Sequence, residues 1–125
     1  MKKIINTSNA PAPIGPYNQA IKVGNTLYTS GQIAINPSSN ELVMDTIENE
    51  TKMVMENLKA VLNAADMDFS NVIKCSIFIS DMNNFGKINE VYGSYFSSDF
   101  PARETVEVAC LPKNVNVEIS AIAID

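Results

Sequence analysis

The chain has 125 residues, 46% of them hydrophobic and 18% charged, the composition of one folded domain and not of a disordered chain. Fourteen acidic residues against nine basic ones leave a net charge of −5, and neither histidine nor tryptophan occurs. Without imidazole there is no Ser-His or Cys-His nucleophile pair, no usual zinc site and no histidine pH switch. Acid–base chemistry must then come from carboxylate, lysine, tyrosine, cysteine or bound water. Arg103 is the only arginine, and apart from Lys2-Lys3 the lysines are scattered. That weighs against nucleic acid, which is usually gripped by a basic stripe.

Cys75 and Cys110 are too few and too far apart for a metal knuckle or a CxxC redox motif. Met1-Lys2-Lys3-Ile4-Ile5 begins like a secretory leader, but polar Asn6-Thr7-Ser8-Asn9 interrupts the apolar run at once. The expectation is a cytoplasmic protein with reduced thiols. No stretch approaches the roughly 20 apolar residues of a membrane span.

In chain order, Lys2 to Ile5 reads as a short strand. Three prolines between Ala10 and Pro16 then forbid a helix and predict an extended loop. Tyr17, Gln19, Ile21 and Val23 alternate as a strand does, Gly24-Asn25 signals a hairpin, and Thr26 to Ser30 is the returning strand. Asn36 to Asn40 is a turn. Ile47, Thr51, Val54, Leu58, Val61, Leu62 and Ala65 fall on one helix face. Asp45 with Glu48 suits a capping box, Glu48 and Glu50 complement the helix dipole, and the helix is expected to stop at Asp66 in the left-handed conformation.

Asn71 to Ser80 is a strand with Ile73, Cys75, Ile77 and Ile79 on one side. Phe85, Ile88, Tyr92, Tyr95 and Phe96 predict a second helix, whose aromatic spacing is that of a buried face more than of a base-stacking platform. Arg103 to Cys110, a turn at Leu111 to Asn114, and Val115 to Ile124 read as a final strand pair. The whole chain, residues 1–125, is thus an α+β domain: a mixed six-stranded sheet with two helices on one face. The last strand has Val117, Ile119, Ala121 and Ala123 on one side but Ile122 and Ile124 on the other. A strand apolar on both faces wants both covered, so self-association through the open face is expected. Oligomerisation also helps a domain that buries only about two thirds of its unfolded surface.

Arg103 is the first candidate for chemistry, because a guanidinium grips a carboxylate in two parallel hydrogen bonds. A salt bridge to Glu104 or Glu107 is the bland competing explanation. Glu118 sits among Ile122 and Ile124 in a strand, so it is either paired, with Lys113 or Arg103, or functional. Gly31 after Ser30 can admit a ligand to the backbone, or mark a bulge. Asn89 is a pocket wall or a surface amide. The five glycines never form GxG, which argues against phosphate-binding and dinucleotide-binding loops.

Asn9-Ala10-Pro11, Ile14-Gly15-Pro16-Tyr17, Thr29-Ser30-Gly31-Gln32-Ile33, Phe85 with Asn89 and Tyr92, Pro101-Ala102-Arg103, Leu111-Pro112-Lys113 and Val117-Glu118-Ile119 occur in this order. Jointly they resemble the reactive intermediate deaminase family, the RidA or YjgF-like proteins, over essentially the whole chain. The resemblance implies a chorismate-mutase-like fold and a homotrimer with clefts between subunits. It implies a hydrolase that deaminates enamines and imines, such as 2-aminoacrylate and 2-aminocrotonate with their imine tautomers (2-iminopropanoate and 2-iminobutanoate), to 2-keto acids and ammonia. It also implies no metal and no cofactor. By position, Arg103 would clamp the substrate carboxylate and Glu118 would activate the attacking water. Ser30, Gly31 and Thr105 would line the pocket, with Tyr17 and Asn89 completing it.

Thr105 stands where many members of that family have cysteine, Glu104 where a small residue is usual, and Ser120 where glutamate is frequent. Asp66 and Asn40 replace common glycines. Two other roles compete with the enzymatic one: a non-catalytic sensor of small carboxylates, and an RNA-directed endoribonuclease.

Overall fold

The computed structural model describes residues 1–125. Its elements are β1 (Lys2–Ile5), β2 (Ala20–Val23), β3 (Thr26–Thr29), α1 (Ile47–Ala64), β4 (Val72–Ile79), α2 (Phe85–Gly93), β5 (Ala102–Glu107) and β6 (Val117–Ile124). They form the expected α+β domain, one six-stranded sheet in the order β1-β2-β3-β6-β4-β5. The β4–β5 pair is parallel and every other pair antiparallel. β5 and β6 are therefore not the adjacent pair expected from sequence. A crossover through α2 places β5 beside β4, and β6 inserts between β3 and β4 because its two apolar sides suit a central position.

α1 buries Val54, Met55, Leu58, Val61 and Leu62 completely, against Cys75, Ile77 and Ile79 of β4 and Val117, Ile119, Ala121 and Ala123 of β6. Each such side chain contributes roughly 1.5–3 kcal/mol of burial. The helix cap lies one residue later than the Asp45–Glu48 box. Thr46 is the N-cap and its hydroxyl accepts from the Asn49 amide at 3.0 Å, while Asp45 instead accepts from the Asn49 side chain. Asp66 has the left-handed φ of 59° expected where the helix stops.

Other details shift as well: β5 runs only to Glu107, short of Cys110, and β6 begins at Val117 and not at Val115, because Pro112–Asn114 form a short 3-10 turn before it. Ile73 is 48% exposed, because a bulge between Val72 and Lys74 lets Val72 take the inward position. α2 ends at Gly93, so Tyr95 and Phe96 pack from the following turn, their rings 5.3 and 5.4 Å from Phe69. β2 starts only at Ala20, because the Gln19 side chain turns inward to hold the proline loop.

The helices cover one face of the sheet. Across the other, Ile4 pairs with Ile21, Ile21 with Tyr28 and Tyr28 with Ile122, a cross-strand apolar row with Ile4 54% and Tyr28 50% exposed. No helix is long and apolar enough to cross a membrane.

Candidate active site

The single arginine stands on the helix-covered face, at the sheet edge. Arg103 in β5 lies opposite buried Cys75 of β4, so its side chain points toward α2. There Nη1 donates to Asn89 Oδ1 at 2.5 Å, and the guanidinium carbon sits 5.2 Å from the Tyr92 ring centroid and 5.6 Å from that of Phe85. The ring faces attract the cation and fix its plane. No acid neutralises it. Glu104 pairs with Lys74 at 3.0 Å and accepts from Ser76, whereas Glu107 accepts the Met82 amide at 2.7 Å. The surface salt-bridge explanation of Arg103 therefore fails. Arg103, Asn89 and Tyr92 line a cleft of about 350 Å³ with Gly93, Phe100 and Pro101.

Glu118 stands on the opposite, open face, beside Phe78 of β4. It is half-buried, and burial raises its carboxyl above the usual value. Neither Lys113 nor Arg103 pairs with it; the two ion pairs of the chain are Lys22–Asp125 and Lys74–Glu104. Its cleft, also about 350 Å³, is lined by Tyr17, Ser30, Gly31 and Glu118 together with the proline loop, Ile33, Ile35 and Pro112. A Cβ on Gly31 would lie 2.7 Å from Glu118 Oε2, so glycine is what lets the carboxylate lie along this wall. Ser30 Oγ donates to the Asn18 carbonyl at 2.5 Å, leaving its lone pairs free to accept. Tyr17 Oη accepts from the Ile14 amide at 3.4 Å, leaving its proton free to donate.

The seven sequence candidates thus divide. Tyr17, Ser30, Gly31 and Glu118 share one cleft, and Asn89 and Arg103 share the other. Thr105 lines neither. It lies opposite Ile77, one position on from Arg103 along the same side of β5, and its Oγ1 is buried without a hydrogen-bond partner. No three of the aspartate, glutamate and cysteine side chains gather into a metal-holding group.

Three supporting residues escaped the sequence reading. Gln19, 2% exposed, donates through Nε2 to the Thr7, Ala10 and Pro11 carbonyls, and its Oε1 accepts the Thr7 amide. Asn57 and Glu50 are equally buried on α1. The available signal was phase: both fall in register with Val54 and Val61 on the apolar stripe, where a polar side chain must find a partner.

Comparison with known proteins fixes the family. A family model described as Endoribonuclease L-PSP matches residues 7–125. The chain belongs to the YjgF/RidA family. Among RidA relatives, a RutC family protein from Pyrococcus horikoshii is 53% identical, covering 98% of both chains. The mouse 2-iminobutanoate/2-iminopropanoate deaminase is 47% identical, covering 99% of this chain and 92% of its own. The fold is that of the RidA structures: the crystal structure of Escherichia coli TdcF with bound serine superposes with a TM-score of 0.95 at 42% identity, covering 98% of each chain.

Proposed function

We propose that this RidA-family chain hydrolyses imine and enamine carboxylates of the 2-aminoacrylate and 2-aminocrotonate type to 2-keto acids and ammonia. The observation on which this rests is the pair of half-sites: a cation held ready without an acid, and a half-buried carboxylate without a cation. Each lacks what the other has. The two faces of the sheet keep them apart in one subunit, and a homotrimer with clefts at its seams would bring Arg103 of one subunit to Glu118 of the next. The identity to the mouse deaminase supports the reaction. The TdcF relative, holding an amino acid, supports a site for small amino-carboxylates.

In this reading Arg103 takes the substrate carboxylate in two parallel hydrogen bonds, with Asn89 steering the guanidinium. That holds the imine carbon near a water on Glu118. The carboxylate accepts a proton as the water oxygen bonds to carbon, and the C=N electron pair moves to nitrogen. Glu118 then returns that proton to nitrogen and, ionised again, takes the proton of the new hydroxyl as the C–N bond breaks and the carbonyl forms; the departing ammonia takes that proton up, so protonated imine plus water gives keto acid plus ammonium. Ser30 Oγ can accept from the imine N–H and Tyr17 Oη can donate to the developing oxygen. Thr105 would contribute through its backbone. A protonated imine is already electrophilic, so positioning and a base worth about 10²–10⁴-fold suffice without imidazole.

The test couples the protein to a serine or threonine dehydratase and follows keto acid and ammonia, with Arg103→Ala and Glu118→Ala as controls. Acceleration by the wild type, strongly reduced in both variants, is expected. Keto acid appearing no faster than by spontaneous hydrolysis would overturn the proposal; ligand-dependent thermal stabilisation without acceleration would mark a carboxylate sensor instead.

A further inference from the structure

Glu50 is a fully buried carboxylate with no cation near it. Both of its oxygens accept from one residue: the Asn116 backbone amide at Oε2 and the Asn116 Nδ2 at Oε1, each at 2.7 Å. Asn116 is also held from its far side, where its carbonyl accepts the Ser80 amide at 3.1 Å and its Oδ1 accepts from Ser80 Oγ at 3.2 Å. This clamp closes where the 111–116 loop enters β6, two residues before Glu118, and Pro112 of that loop lines the Glu118 cleft. A helix dipole needs no such burial, and taking a carboxylate from water is costly unless hydrogen bonds such as these two offset it.

Two helical turns further along the same face, Asn57 makes the matching tie. Its Nδ2 donates to the Ile33 carbonyl at 3.0 Å and the Ile35 carbonyl at 2.8 Å. These residues line the cleft as well, continuous with Gly31 and with Gln32, which exchanges backbone hydrogen bonds with Ile119, and they pack with Leu111 and Val115 of the 111–116 loop in one small buried cluster. One rigid helix therefore grips both segments that line the Glu118 cleft.

We propose that Glu50 and Asn57 are positioning residues that set the width of the Glu118 cleft from the far side of the sheet. Their effect on rate rests on the function proposed above; their effect on the cleft does not. Glu50→Gln turns one acceptor into a donor facing an N–H of Asn116. Adding Asn116→Asp restores complementarity, because the new amide can donate to the new carboxylate while still accepting the backbone N–H.

The experiment measures kcat and KM for imine hydrolysis, the melting temperature, and the Glu118 titration by carboxyl-carbon NMR. Glu50→Gln is expected to lower kcat about tenfold or more with KM changed far less, because Arg103 is untouched. The Glu118 midpoint should move down toward an ordinary carboxylate as water enters the cleft. The Glu50→Gln/Asn116→Asp pair should recover both readings, and Asn57→Ala should show the same losses as Glu50→Gln, acting through the Ile33–Ile35 segment, if Glu50→Gln alone does not fold. A folded Glu50→Gln protein with unchanged kcat and Glu118 titration overturns the proposal, as does a double variant that folds without recovery. If the wild type shows no hydrolysis yet the titration shifts and recovers as described, the enzymatic reading falls and the positioning role stands.

Discussion

Arg103 and Glu118 lie on opposite faces of one sheet: the arginine is aligned with inward Cys75, the glutamate with Phe78 on the open side. No rotamer change within a subunit brings them together, since side chains on neighbouring positions of a strand leave by opposite faces. This separation governs what each substitution should do.

Arg103→Ala should lower kcat/KM by roughly 10- to 150-fold, the equivalent of the about 1.5–3 kcal/mol of a charge-assisted hydrogen bond. Arg103→Lys should recover only part, because an ammonium lacks the planar fork. Arg103 is exposed, hydrogen-bonded only to Asn89, and its contacts with the Tyr92 and Phe85 rings are worth about 0.5–1 kcal/mol at such a site, so melting should shift little in either variant. Steady-state kinetics beside a thermal melt checks both statements.

Gly31→Ala separates Glu118 from Arg103. Its Cβ would meet Glu118 Oε2, Cδ and Cγ at 2.7, 2.8 and 2.9 Å, so the glutamate side chain must swing away. The expected result is a kcat lowered about 10²-fold, as for other misplacements near 1 Å, with carboxylate binding at Arg103 retained. Titrating an unreactive 2-keto acid onto the variant, next to kinetics, reads the two separately.

The Glu118 carboxyl is raised by burial, and this gives opposite pH trends for rate and stability. To act as the proposed base it must be ionised, so kcat should rise with pH through a midpoint above the ordinary 4.5. A raised folded-state value favours the protonated folded protein. Its stabilisation is full below the unfolded value and is lost as pH rises through the folded one. Glu118→Gln should accordingly abolish most activity yet melt higher than wild type at neutral pH, with the difference shrinking toward pH 4. Equal melting of the two proteins at both pH values would contradict this account of Glu118.

Much of this was legible from residues alone, and the misses have physical reasons. The stripe from Ile47 to Ala65 located α1, because burial against a sheet requires that period. Arg103 and Glu118 stood out because a lone arginine and an acid in an apolar strand each need an explanation. Strand adjacency was not legible: nothing local in Arg103 to Ile124 shows that β4 separates β5 from β6. The bulge that turns Ile73 outward is likewise set by its partner strand, not by its own alternation. Glu50 read as a dipole residue because its partner Asn116 is 66 positions away.

The division of the half-sites makes a sharp prediction about assembly. Arg103→Ala and Glu118→Ala homo-oligomers should each be nearly inactive, since each lacks one residue at every site. If sites form between subunits, mixing them with subunit exchange creates seams where an intact Arg103 meets an intact Glu118. In a cyclic trimer with random exchange, about a quarter of the sites would regain both residues. Activity should rise toward about a quarter of wild type after exchange, and not when the two proteins are mixed without it. Ile122→Asp, which puts a charge in the row of Ile4, Ile21 and Tyr28, should give monomers by sedimentation and lose hydrolysis with them. Full activity in such a monomer, or no recovery in exchanged mixtures, would place the chemistry within one subunit, where the opposite faces of the sheet leave Arg103 and Glu118 no common substrate.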